Sequence, residues 1–81
     1  MYAAGMAIDK RMEQEHLAQA DRHIARAEEM VREQRSLIER MAEHGHDTQM
    51  AQDLLRTMQV TLERMYEHRD MIEAAIAGDR N

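Results

Sequence analysis

An all-α fold, an antiparallel two-helix hairpin pairing into a dimeric four-helix bundle, is predicted by three features of this sequence. They are a composition rich in helix formers, two long heptad patterns, and one short turn signal between them. The 81 residues include no proline, no Phe or Trp and only three glycines. Ala, Glu, Arg, Gln, Met and Leu are abundant, and these side chains lose little rotamer freedom in a helix. A chain this short forms one domain, residues 1–81, and its core is thin or shared, since even a 60-residue chain buries only about 60% of its unfolded surface. There is no cysteine, so no disulfide or thiolate metal site can reinforce the fold.

The first helix is expected over about residues 9–44. Its start is blurred because Gly5 lies among good helix formers, and the secure part begins at Asp9. From Leu17 a heptad pattern runs for nearly four repeats, with Leu17, Ile24, Val31 and Ile38 at a, and Ala20, Ala27, Gln34 and Met41 at d. The g column adds His16, His23, Met30, Leu37 and His44. That makes the apolar stripe wider than a two-stranded seam requires.

The pattern stops at HGHDT, residues 44–48. Gly45 can take the left-handed conformation that closes a helix, and Asp47 or Thr48 can accept a hydrogen bond from the next helix's first turn. A turn at residues 45–47 makes the two helices antiparallel neighbours.

The second helix is expected over about residues 48–77. Ala51, Met58, Met65 and Ile72 occupy a, Leu54, Thr61, His68 and Ala75 occupy d, and Leu55, Leu62, Arg69 and Ile76 occupy e. Gly78 and the polar residues 79–81 form a tail. Val60 and Tyr66 fall on outer columns and are expected to be exposed. Surface pairs such as Glu28 with Arg32, Arg35 with Glu39 and Arg69 with Glu73 can meet at i,i+4, each worth roughly 0.2–0.5 kcal/mol.

Two helices cover only a narrow line of each other, yet both stripes span three columns. Each large apolar side chain left wet forgoes about 1.5–3 kcal/mol, against a typical total stability of roughly 5–15 kcal/mol. A second copy is the commonest cover, giving a twofold four-helix bundle. The expected interface residues are Leu17, Ile24, Val31, Leu37, Ile38, Met41, Leu54, Leu55, Met58, Leu62, Met65, Ile72 and Ile76. Another helical protein could supply the cover instead, and the methionines at 30, 41, 50, 58, 65 and 71 suit an adaptable surface, although methionine also simply fills irregular cores.

Five histidines are the candidates for metal or acid–base chemistry. His16 and His23 lie about 10.5 Å apart along the axis, too far to share one metal. With the turn near residue 46, His23 comes level with His68. The reading favoured here is a polar layer of His23, Gln34 and His68, with Thr61 and Arg69, that sets register. Glu13 and His16 match the Glu-x-x-His spacing of di-iron bundles, but Glu63, Glu67 and Glu73 fall mostly on outward columns, so the matching inward carboxylates are missing. His44, His46 and Asp47 cluster at the turn, where Asp47 is wanted as a cap. The string His68, Arg69, Asp70 matches a kinase catalytic tripeptide by coincidence, because a chain this size holds no nucleotide-binding lobe. No metal or other cofactor is expected.

Sixteen acidic and eleven basic residues give a net charge of −5 with the signs interspersed, so no basic stripe exists for nucleic acid. No run approaches the roughly 20 apolar residues of a membrane span, and MYAAGMAI lacks a basic region and is too short for a secretory leader. The expected location is the cytoplasm. Ser36 lies on an outer face without a base, and there is no glycine-rich phosphate loop, so no enzyme chemistry is expected.

The strings HIARAEEMVREQRSLIERM, GHDTQMAQDLLRTM and EHRDMI resemble a group of small uncharacterised bacterial proteins of helical-hairpin type with a GHDT turn, over roughly residues 20–76. The matching residues are His23, Ile24, Glu28, Gln34, Leu37, Ile38, Gly45, His46, Asp47, Thr48, Ala51, Leu54, Leu55, His68 and Arg69, while Ala27 stands where that group carries glycine. The resemblance implies the hairpin and its turn and no activity. The function expected is a non-enzymatic interaction module that self-associates. The alternatives are a heteromeric adaptor or inhibitor and a histidine-based metal-binding bundle.

Overall fold

A computed structural model describes residues 10–78. It contains two helices, α1 (Lys10–Glu43) and α2 (Gln49–Gly78), packed against each other in antiparallel fashion. Both lie within one or two residues of the expected bounds, the ordinary spread at helix ends. The expected start at Asp9 and the tail at 79–81 lie outside the described residues.

The turn closes as a Schellman motif. The His46 amide donates to the Met41 carbonyl (2.8 Å) and the Gly45 amide to the Ala42 carbonyl (3.1 Å), satisfying acceptors that α1 leaves free at its end. Gly45 sits at φ 74°, the left-handed conformation this motif needs. His44 turns its Nδ1 to the Arg40 carbonyl at 2.7 Å, a further C-terminal contact. On the other side, Asp47 Oδ1 accepts from the Gln49 amide at 2.9 Å and so caps the first turn of α2. Thr48 contributes its carbonyl to the Gln52 amide and its hydroxyl to the Gln52 side chain. Gly45, Asp47 and Thr48 thus all act at the turn.

The seam between the helices is thin. Its most buried apolar residues are Ala20, Ile24 and Val31 from α1 and Ile72 from α2, and among the described residues no large side chain is completely enclosed. Leu17, Ala27, Ile38 and Met41 on α1, and Leu55, Met58, Leu62, Met65 and Ile76 on α2, are half-buried beside them. On α1 the columns turned inward are a and d, as the periodicity implies. On α2 they are a and e, with the d residues Leu54, Thr61 and His68 left exposed and Ala75, also at d, half-buried. The a/e choice follows side-chain character, because Leu55, Leu62 and Ile76 offer more apolar surface to α1 than Thr61 and His68 do.

Candidate functional site

With α1 rotated so that a and d face inward and α2 so that a and e do, each helix leaves one inner column uncovered. These are g of α1 (His16, His23, Met30, Leu37, His44) and d of α2 (Leu54, Thr61, His68), all exposed in the hairpin. They lie on the same side of the seam. One groove is shared by Met30, Gln34 and Leu37 with Leu54 and Met58, and another by Ala20 and His23 with Thr61, Met65 and His68. Met30 is 46% exposed, Leu37 39% and Leu54 52%. The result is one broad face with an apolar patch of Met30, Leu37, Leu54 and Met58 beside a groove bordered by His23 and His68, edged by Glu33, Arg40 and Arg64. Thr61 does not spoil it, since its hydroxyl already donates to the Thr57 carbonyl at 3.0 Å.

The opposite side of the seam is polar and joins the helices by side-chain bonds. The Tyr66 hydroxyl of α2 donates to Glu28 Oε2 of α1 at 2.5 Å. The guanidinium of Arg69 lies 3.4 Å from Asp21 on α1, 3.6 Å from Glu73 one turn along α2, and 5.8 Å from the centre of the Tyr66 ring. Being the donor to a carboxylate, with some burial added, holds the Tyr66 phenol above the ordinary tyrosine value; Glu28's charge acts the same way and nearby Arg69 opposes it.

The expected exposure of Tyr66 is therefore corrected. Its ring is half-buried, because a b-column side chain follows the a/e face inward once α2 rotates. Val60, by contrast, is exposed as expected. Of the pairs expected along each helix, Arg69 and Glu73 meet, while Glu28 turns across the seam to Tyr66. The bonds from Tyr66 to Glu28 and from Arg69 to Asp21 were missed by reasoning within each helix. The level pairing that brings His23 opposite His68 sets residue 28 level with about 63 and residue 21 with about 70, each within a turn of the observed partner.

Of the proposed polar layer, Gln34 alone is buried in the hairpin, and its side-chain amide donates to the Ala51 carbonyl at 2.9 Å. His23 and His68 do share one groove, but on the uncovered face and not inside the seam. Arg69 is half-buried at the polar edge and Thr61 is exposed. At the start of α1, Glu13 lies 3.9 Å from His16. His44 and His46 at the turn have ring centres 6.2 Å apart. Among the described residues no three His, Cys, Asp or Glu side chains gather in a way that could hold a metal ion, and no helix is long and apolar enough to cross a membrane.

Fold and surface together define a helical hairpin with one polar, cross-linked side and one uncovered apolar face. Comparison with protein-family models, curated proteins and solved structures found no match to this chain.

Proposed function

We propose that this protein is a cytoplasmic, non-enzymatic protein–protein interaction module that self-associates through its helices into a dimeric four-helix bundle. The observation that carries the reading is the placement of Met30, Leu37 and Leu54, large apolar side chains that the hairpin leaves exposed side by side on one face. Covering the part of each that is still exposed is worth about 0.6–1.5 kcal/mol. That is decisive for a fold whose own seam encloses so little. The polar side, tied by Tyr66 to Glu28 and by Arg69 to Asp21, has no such surface to cover and is the natural outside of the bundle.

Sedimentation equilibrium of untagged protein over a wide concentration range tests this. A dimer whose helicity falls on dilution is the expected result. A helical monomer at every concentration would overturn self-association and assign the face to a different helical protein.

A further inference from the structure

The uncovered face carries two imidazoles at one level among its apolar side chains. His23 of α1 and His68 of α2 border a single groove with Ala20, Thr61, Arg64 and Met65. No carboxylate lines it. The charged group that borders the groove with the imidazoles is Arg64, one turn before His68 on α2, and the nearest charge along α1 on that side is Arg26, three residues after His23. Asp21, close in sequence, turns to Arg69 on the polar side of the seam.

A second copy fits this face in size. The side of the hairpin that carries the two grooves measures about 45 Å by 18 Å, so a second copy covering it fully would bury up to roughly 800 Å² per copy, the size of a standard specific interface. Its rim carries both signs, with Glu33 and Arg40 on one groove and Arg64 on the other, so the net charge of −5 is not concentrated where two copies would meet. The His23–His68 level lies only about four residues from the middle of the packed length, or roughly 6 Å. A twofold axis along the helices sets the histidine levels of the two copies against each other, and this is the arrangement taken here.

Building on the self-association reading, we propose that a second copy seats on this face and that protonation of His23 and His68 controls the seating. A neutral imidazole can enter such an interface with one nitrogen donating and the other accepting. An imidazolium placed there is desolvated beside Arg64, and no carboxylate of its own copy lines the groove to compensate it. The dimer therefore binds fewer protons than two monomers, and acidification favours the monomer.

The test is sedimentation equilibrium of the full chain at pH 7.5 and pH 5.5 at constant ionic strength, alongside the double variants H23L/H68L and H23Q/H68Q. Both variants keep His16, His44 and His46. The wild type is expected to be dimeric at pH 7.5, with a dissociation constant at least about tenfold higher at pH 5.5, and either double variant to give a ratio near one. The glutamine pair serves if the leucine pair aggregates. A wild-type dimer equally tight at both pH values overturns the proton control and leaves self-association standing. A double variant with undiminished pH dependence assigns the effect to the other histidines and overturns the proposal. A wild type that is monomeric at both pH values overturns the proposal together with the reading beneath it.

Discussion

The side-chain amide of Gln34 donates to the backbone carbonyl of Ala51 across the seam, 2.9 Å away, and Gln34 is as buried as the apolar residues around it. This bond joins one heptad position of α1 to a fixed level of α2. Sliding α2 by a turn sets Leu55 or Asp47 in the place of the small Ala51, whose methyl group leaves the carbonyl within reach, whereas the apolar contacts of Ile24 or Val31 could re-form with other methyl groups. Leu at position 34 would fill the same space without that preference. Q34L is expected to melt at or above the wild-type temperature while broadening the inter-helix distance distribution between spin labels placed at Ser36 and Gln52. Q34A loses the hydrogen bond as well as packing and should cost about 1–2 kcal/mol in chemical denaturation. A narrow distance distribution in Q34L would show that the apolar seam alone sets register.

The turn offers a cleaner energetic test because its strain is local. A Cβ added at Gly45 would meet nothing within 4 Å, so the only obstacle to a side chain there is the backbone at φ 74°. G45A should destabilise by about 1–2 kcal/mol and G45N by less, since asparagine visits the left-handed region more easily. D47A removes the cap on the Gln49 amide and should cost about 0.5–2 kcal/mol. Thermal melts followed by circular dichroism at one protein concentration would resolve all three.

Tyr66 links folding to alkaline pH. Its phenol is held above the ordinary value of about 10 chiefly by donating to Glu28, so the folded state retains this proton where the unfolded chain has lost it. The stabilisation is fully present below pH 10 and fades as pH rises through the higher folded value. In a Y2F background, phenolate absorbance should titrate later in the native protein than in the denatured one, and E28Q should bring the native midpoint down. An unchanged midpoint in E28Q would mean that burial, not the hydrogen bond, sets the shift.

Seam and face variants should separate folding from association. I24A cuts into the most buried side chain of the hairpin and is expected to cost about 2–4 kcal/mol, enough to abolish cooperative melting in so thin a fold. L37Q/L54Q leaves the seam intact, so it should weaken dimerisation in sedimentation experiments while retaining helicity at high concentration. M50Q, at a side chain 86% exposed near the turn, should move neither measure beyond about 0.5 kcal/mol. Dimerisation unaffected by L37Q/L54Q would show that the copies meet elsewhere.

Much of this architecture was legible from residue types and spacing. The a/d pattern of α1 marked the side that now meets α2, and Gly45 and Asp47 marked the turn, because capping is a local matter of one backbone conformation and one side-chain oxygen. The candidate site was legible only in its members. Met30, Leu37, Leu54, His23 and His68 all stood out along their helices, but nothing in either helix taken alone said whether they would face inward or be left out.

What the sequence determined by itself is therefore the pair of helices, their antiparallel order, the turn, and an apolar stripe on each that is one column too wide. Those properties follow from interactions within a few residues along the chain. The rotation of α2 about its own axis was decided only by tertiary packing. Turning Leu55, Leu62 and Ile76 inward covers more apolar surface than turning Thr61 and His68 inward, and that comparison exists only once α1 lies alongside. The same rotation drew Tyr66 over the seam to Glu28 and set Leu54 and His68 beside Leu37 and His23 on the uncovered face.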